Sequence, residues 1–320
     1  MMKIKSGMFE ESSKSHASSK LWVVIVLFVL VFLGILIMEA IIPSALIAKP
    51  VLEEYGNLGY QMGDDIPFKV RMEVISRVMS PPEIMIPTLI CTVFGTIISI
   101  VYCRFGEMRS LGSIGMRKKK LVPHYLTGLV IGTVLMSAIV LLSLLTGTQK
   151  ISSCSGINYV TIAGYMLGWF IQGMSEEFIF RGYLMNSIGG KHKAVLALTI
   201  SSVAFSLAHT TNPGFGPLVF FNLALFGLFA ALYMLLTDDI WGSCAIHSVW
   251  NFVQGNIFGI SVSGSGDAMS FLRTSPASES KLLTGGEFGI EGSIFTTIVM
   301  LSAVAAVAVL MKKKKILETE

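Results

Sequence analysis

Charged residues are scarce in this sequence. Asp, Glu, Lys and Arg make up 14% of its 320 residues, whereas apolar types make up 53%. Soluble domains carry about 25% charged residues, so the composition argues against an ordinary soluble enzyme and is typical of a polytopic membrane protein. The net charge is only +4, and the basic residues stand at the ends of apolar runs. This pattern indicates a lipid bilayer as partner and argues against nucleic acid.

Several signatures of soluble catalytic sites are also missing. The four cysteines show no CxxC spacing, so neither a disulfide framework nor a cysteine zinc site is indicated. The metalloprotease motif HExxH, the serine-hydrolase elbow GxSxG and the phosphate-binding motif GxxxxGK[ST] do not occur. The repeated halves that many transporters show are not found either.

Apolar runs predict an all-α fold, a polytopic transmembrane helical bundle of about eight spans. The predicted spans are Leu21–Met38, Ile84–Cys103, Tyr125–Leu145, Ile157–Leu184, Ala194–His209, Pro217–Leu236, Ile240–Ile257 and Ile294–Met311. The first run lacks the cleavage site of a secretory signal, so we expect it to remain as a span. Prolines and both charge signs predict an outer loop with some helix over residues 43–83.

The predicted organisation has five parts. They are a disordered cytosolic N-terminus (1–20), an N-terminal region of three spans (21–156), a core (157–258), a Gly/Ser-rich loop (259–293), and the last span with a basic tail (294–320). Four lysines precede the first span, six basic residues lie between Arg104 and Lys120, and four follow from Lys312. Because cytoplasmic loops carry the excess of Lys and Arg, both termini are predicted to be cytosolic.

The fourth span carries three charged side chains, Glu176, Glu177 and Arg181. Charged residues within a membrane span are costly and are functional candidates by default. Glu177 and Arg181 stand at i,i+4 with the acid first, the favourable order for a helical ion pair, so we expect a structural pair. Glu176 points about 100° away and is left as an unpaired carboxylate, a candidate general base.

Two later spans each add a histidine. Phe205 and His209 share one helix face, as do His247 and Asn251. Counting residues from the predicted cytosolic turns near Lys191 and Asp239 places Glu176, His209, His247 and Asn251 at depths that allow one shared layer inside the membrane. We expect these residues to surround a pocket that opens toward the cytosol.

Two kinds of chemistry fit these residues. Glu176 and His209 can hold and deprotonate a water while His247 and Asn251 donate hydrogen bonds to an oxyanion, which is amide hydrolysis without a covalent intermediate. Glu176, His209 and His247 also have the composition of a catalytic zinc site. The expected cofactor is therefore none or one zinc ion. Intramembrane Glu and His also serve proton relays, so a proton-coupled transporter is an alternative.

Three motifs carry a resemblance to a known family. Glu176-Glu177-x-x-x-Arg181, Phe205-x-x-x-His209 and His247-x-x-x-Asn251 resemble, in order, the motifs of the CPBP family, the CAAX prenyl proteases and bacteriocin-processing proteins also called Abi. The motif region spans about Met166–Asn256. The resemblance implies an intramembrane endopeptidase of the type II CAAX prenyl or bacteriocin-processing kind, with residues 157–258 as its catalytic core.

The resemblance also implies roles for the motif residues. Glu176 is the expected base and His209 its water-binding partner, while His247 and Asn251 stabilise the oxyanion. The expected supporting residues are Glu177, Arg181 and Phe205. Such proteins are described both as metalloproteases and as glutamate proteases. The expected location is a bacterial plasma membrane and the expected partner a membrane-associated protein or peptide substrate. The alternative is a non-catalytic membrane scaffold or immunity partner.

Overall fold

Helices dominate the chain. The computed structural model describes residues 2–319; the outermost residues of the two predicted tails, 1 and 320, lie outside this range. The helices are α1 (Gly7–Ser13), α2 (Leu21–Asn57), α3 (Phe68–Met79), α4 (Pro82–Cys91), α5 (Val93–Val101), α6 (Leu121–Leu145), α7 (Tyr159–Glu177), α8 (Asn186–Gly189), α9 (Ala194–Leu207), α10 (Pro217–Thr237), α11 (Trp241–Phe252), α12 (Lys281–Thr284) and α13 (Ile294–Lys313). The predicted all-α membrane bundle is confirmed, and the protein is an integral membrane protein.

Wider and tighter helical turns join these helices. The π-helical segments are Tyr102–Gly106, Phe178–Met185 and Val253–Ile257, and the 3₁₀ turns are Gly112–Ile114, Gly286–Phe288 and Ile290–Gly292. Within the described residues, five helical stretches are long and apolar enough to cross a membrane: Leu21–Asn57, Pro82–Gly106, Leu121–Leu145, Pro217–Thr237 and Ile294–Lys313. α9 is apolar but shorter, with 14 residues.

Two small antiparallel sheets mark the two ends of the bundle. β1 (Met2–Ile4) pairs with β4 (Leu317–Thr319), so both chain termini lie at one end. β2 (Gln149–Ser153), which follows α6, pairs with β3 (Leu272–Pro276) in the predicted Gly/Ser-rich loop. The end that carries the β1–β4 sheet is called the basic end and is formed by residues 2–20, 102–120, 186–193, 238–240 and 312–319. The end that carries the β2–β3 sheet is called the loop end and is formed by residues 146–158, 208–216 and 259–293.

Residues 2–20 are ordered, which differs from the predicted disorder. Ser6 caps α1 by accepting a hydrogen bond from the backbone N–H of Phe9. Met8 and Phe9 are buried in the core. The Nζ atom of Lys191 donates to the backbone carbonyls of Ser13 and Ser15 at 2.8 and 2.9 Å. The segment packs onto the basic end because its few apolar side chains and its backbone carbonyls both find partners there.

α2 is longer than the predicted first span. It continues through Pro43 and Pro50 to Asn57, where the prolines favoured a loop. Proline is tolerated in a membrane helix because neighbouring groups and local adjustments satisfy the freed carbonyls. α3 ends at Met79 and α4 begins at Pro82, so the prolines at 81 and 82 separate these two helices.

A buried arginine at the basic end fastens the π-helical segment after α7. Arg109 has a side chain with no exposed surface and pairs with Glu107 at 3.1 Å. Its Nη2 donates to the carbonyl of Gly182 at 2.9 Å, and its Nη1 to Ser187 Oγ at 2.9 Å. These bonds join residues 102–116 to the segment that follows the charged motif.

Replacing this arginine should destabilise the fold. Arg109→Ala leaves the buried carboxylate of Glu107 without its cation, a change that typically costs about 3–5 kcal/mol. We expect a large drop in the thermal aggregation midpoint of the detergent-purified protein, measured by fluorescence-detected gel filtration after heating. Arg104→Ala is the matched control, because Arg104 is exposed. Equal midpoints for the two variants would contradict the role given to Arg109.

Candidate active site

A fully buried ion cluster joins α7 to α11. Oε1 of Glu177 accepts a hydrogen bond from Nη1 of Arg181 at 3.1 Å and lies 2.9 Å from Nδ1 of His247. The side chains of Glu177 and Arg181 have no exposed surface. Because a carboxylate only accepts hydrogen bonds, His247 donates through Nδ1. Its other ring nitrogen is thereby turned toward Glu176. The predicted i,i+4 ion pair is present.

Both histidines face one oxygen of Glu176. Nε2 of His247 lies 3.6 Å and Nε2 of His209 lies 3.9 Å from Oε2 of Glu176. Nδ1 of His209 donates to the backbone carbonyl of Phe205 at 2.9 Å, which fixes the ring. Within residues 2–319, Oε2 of Glu176 has no hydrogen-bond partner. These separations leave a point between the three groups that suits one small molecule, such as a water.

Asn251 reaches Glu176 through a residue that the sequence reasoning missed. Nδ2 of Asn251 donates to Oε1 of Gln172 at 2.8 Å, and Nε2 of Gln172 donates to Oε1 of Glu176 at 2.5 Å. Gln172 stands at i,i+4 before Glu176, a spacing that allows a hydrogen bond on one helix face. The sequence signal for its role was a polar side chain within an apolar run. The amide chain holds one carboxylate oxygen so that the other faces the histidines.

The ring of Phe205 lies at the centre of the motif residues. The guanidinium of Arg181 stands 4.5 Å from its centroid, a cation–π contact. The rings of His209 and His247 lie 5.0 and 5.7 Å away. α9 therefore contributes a ring that packs against the cation and both imidazoles, which accounts for its place in the motif.

Close approach of α7 and α11 brings the two helices of the site together. A Cβ atom added to Gly173 would lie 2.6 Å from the backbone nitrogen of Ser248, nearer than atoms normally approach. Small residues allow membrane helices to pack this closely. His247 precedes Ser248, and Glu177 lies one helical turn beyond Gly173, so Gly173 sets the separation that their hydrogen bond requires.

The site opens into a cavity of about 240 Å³. Its wall includes Glu176, His209, His247 and Asn251, so all four predicted catalytic residues face one space. Asn212, Pro213 and residues 262–265 also line it, and these belong to the loop end. The expectation of a pocket that opens on the side of the basic segments is therefore wrong.

The Gly/Ser-rich loop is part of the cavity wall, although its sequence contained no recognisable motif. Glu291, 6% exposed, holds it in place. Oε2 of Glu291 accepts hydrogen bonds from the backbone N–H of Ser263 at 2.8 Å and from Nε2 of Gln254 at 3.1 Å, and Oε1 accepts from Nε1 of Trp250 at 3.3 Å. One carboxylate thus ties the loop to α11 and to the π-helical segment that follows it.

A second intramembrane carboxylate lies behind the site. Glu39 of α2 is half-buried, and its Oε1 has no hydrogen-bond partner within residues 2–319. A Cβ atom on Gly95 would collide with Ser175 Oγ and come within 2.9 Å of Glu39 Oε1, so these groups crowd one point. The lone acidic residue in the first apolar stretch was the only sequence signal for this contact.

The donor geometry bears on the zinc alternative. Two ligands of a tetrahedral zinc ion stand about 3.3–3.6 Å apart, because each lies about 2.0–2.2 Å from the metal. The separation between His209 and Glu176, 3.9 Å, is longer. In the described part of the chain, no three His, Cys, Asp or Glu side chains are grouped closely enough to hold a metal ion.

Comparison with known protein families identifies the region that carries the site. Residues 157–253 match a family model described as type II CAAX prenyl endopeptidase Rce1-like. All three motifs lie inside this match, which covers just under a third of the chain. The match confirms that this region resembles the CPBP membrane proteases. No curated protein matches the chain.

Replacing the carboxylate of Glu291 by a neutral amide should loosen the loop of residues 259–293 over the cavity. A glutamine has a single acceptor oxygen, whereas Glu291 accepts from Trp250, Gln254 and Ser263. Glu291→Gln therefore turns an N–H₂ group toward a donor, which costs about 1–3 kcal/mol for a buried group. We expect faster proteolytic nicking within residues 259–293, measured by limited proteolysis and mass spectrometry. Glu287→Gln, an exposed neighbour, is the control; equal nicking rates would argue against this anchor.

Proposed function

We propose that this protein is an intramembrane endopeptidase that hydrolyses a peptide bond with a water activated by Glu176. The observation that carries the proposal is the convergence of three groups in one cavity. Oε2 of Glu176 faces Nε2 of both His209 and His247 at 3.9 and 3.6 Å. The family match over residues 157–253 supports a protease of the CAAX type.

The proposed reaction begins with a water between Glu176 and His209. Nδ1 of His209 is engaged by the carbonyl of Phe205, so Nε2 offers a lone pair that can accept a water proton. The water oxygen attacks the carbonyl carbon of the substrate while one proton passes to Oε2 of Glu176, and the other proton stays on that oxygen in a hydrogen bond to Nε2 of His209. The amide chain from Asn251 through Gln172 holds Oε1 and leaves Oε2 free for this transfer.

The oxyanion that forms needs hydrogen-bond donors. Protonated His247 supplies one through Nε2, because the carboxylate of Glu177 on Nδ1 stabilises the imidazolium. Asn251 has a second amide proton beyond the one given to Gln172. The proton on Glu176 then moves to the leaving nitrogen as the C–N bond breaks. The remaining proton of the attacking oxygen passes to Nε2 of His209 and then to solvent, so the products are a new carboxylate and a new amine, and atoms and charges balance.

The proposed setting is a plasma membrane, bacterial in origin, with about eight spans and both termini in the cytosol. The clustering of basic residues at the end that holds both termini supports this orientation. The substrate is a membrane-associated protein or peptide. A CAAX-type or a bacteriocin-type substrate is compatible with the family match.

Glu176→Gln should remove cleavage and leave the fold intact. The change removes the base but little volume, and general-base catalysis is worth about 10²–10⁴ in rate. The measurement is hydrolysis of a fluorescence-quenched membrane-peptide library by protein reconstituted in lipid. Glu279→Gln, an exposed loop residue, is the matched control. If no peptide is cleaved by the unaltered protein, a non-catalytic scaffold becomes the better explanation; full activity in Glu176→Gln would exclude Glu176 as base.

The two mechanisms predict different results for the histidines. Without a metal, His209→Ala should be nearly inactive, while His247→Ala and Asn251→Ala each lose about 10²–10³ in turnover, the usual effect of one oxyanion donor. Chelators should then have no effect. Zinc content of the purified protein, measured by inductively coupled plasma mass spectrometry, is the second readout. Stoichiometric zinc lost together with activity in His247→Ala would overturn the metal-free mechanism.

A further inference from the structure

The cavity and most of the basic residues lie at opposite ends of the bundle, although Lys150, Arg273 and Lys281 belong to the loop end. The basic end holds Lys118–Lys120, Lys191, Lys193 and Lys312–Lys315. Contacts bring these segments together: Arg117 pairs with Glu11 at 2.7 Å and with Asp238 at 2.9 Å. At the loop end, Nδ2 of Asn212 donates to the carbonyl of Ser263 at 2.9 Å. This bond joins the two loops that line the cavity.

A packed layer separates the site from the basic end. The chain from Glu177 to Ile188 runs toward the basic end, and Phe178, Tyr183, Met185 and Ile188 on it are each at most 1% exposed. Ile240, from the turn after α10, is also fully buried. All five belong to the main hydrophobic core. Interiors of this kind are close-packed, so a peptide has no route to Glu176 from the basic end.

Between the site and the loop end the packing is open. α9 has 14 residues, so it extends about 21 Å, short of the roughly 30 Å of a hydrocarbon core. His209 lies just beyond the end of this helix, and Asn212, Pro213 and residues 262–265 continue the wall. Glu176 keeps 21% of its side-chain surface exposed toward this space. The site is therefore reached through the loops.

We propose that the active site takes its substrate from the extracytoplasmic side of the membrane. Because cytoplasmic segments carry the excess of Lys and Arg, the basic end is assigned to the cytosol. The cavity mouth is at the other end. The substrate class is then a segment of an exported or membrane-anchored polypeptide presented at the outer face. A cytosolic C-terminal peptide could not enter. This inference rests on the proposed peptidase function.

Cysteine accessibility in intact cells tests the side of entry directly. In a Cys154→Ser background, the remaining native cysteines are buried. Thr211→Cys places an exposed thiol beside the cavity mouth, Ser265→Cys places one in the cavity wall, and Lys119→Cys marks the basic end. A membrane-impermeant maleimide should label the first two in intact cells, and Lys119→Cys only after lysis. The reverse pattern, or Ser265→Cys that stays unlabelled in both conditions, overturns the proposal.

A cleavage measurement separates this inference from the proposed function. The Ser265→Cys protein is labelled in intact cells with the impermeant maleimide, then purified and assayed with the same peptide library in detergent. Blocked cleavage, beside normal cleavage in labelled Thr211→Cys, supports entry through the mouth. If detergent cleavage depends on Glu176 but outside labelling of Ser265→Cys does not reduce it, the side of entry is wrong and the peptidase function stands. If no Glu176-dependent cleavage occurs, the function itself fails and the labelling pattern alone still decides which face the cavity meets.

Discussion

A single oxygen atom, Oε1 of Glu177, joins the buried cation of Arg181 to the imidazole of His247 on α11. It accepts from Arg181 at 3.1 Å and from His247 at 2.9 Å, where neither Glu177 nor Arg181 has any exposed surface. A carboxylate or guanidinium buried alone would cost several kcal/mol, so each charge depends on the other. The ring of Phe205 covers the guanidinium at 4.5 Å. The three motifs are therefore parts of one contact, and the orientation of His247 toward Glu176 follows from it.

That contact needs helices that approach closely without help from water. Lipid tails are as apolar as leucine, so packing in a membrane depends on small residues and on hydrogen bonds between helices. Gly173 allows α7 to lie against the backbone of Ser248 in α11, and Gly128 and Gly132 do the same for α6 against α11. A helix held on two sides in this way keeps His247 and Asn251 at fixed positions. The glycines thus contribute to the site although they carry no reactive group.

Sequence reasoning predicted the motif residues because their signal is local. Charges and histidines in apolar runs stand out, and helical spacing shows which of them share a face, as with Glu177 and Arg181. The all-α bundle followed from run length in the same way. What could not be predicted depends on contacts between distant segments. Gln172 matters only because Asn251 lies opposite it, and Glu291 only because Ser263 and Trp250 meet it. The continuation of α2 through Pro43 and the order of residues 2–20 likewise depend on neighbours that local propensity does not describe.

The short α9 bears on how the proposed hydrolysis could take place at this depth. Backbone groups at a helix end lack partners within the helix, and in the hydrocarbon region such irregular backbone is tolerated only where it is buried in protein or lines a polar cavity. Here the chain after Leu207 turns through His209 and Asn212 into loop residues that hydrogen-bond with residues 259–293. The helix end that places His209 opposite Glu176 is thus also the place where polar lining begins. Water for the proposed reaction and the polar backbone of the proposed substrate can therefore reach Glu176 along groups that solvate them, while the packed core beneath Glu177 keeps the buried ion cluster dry.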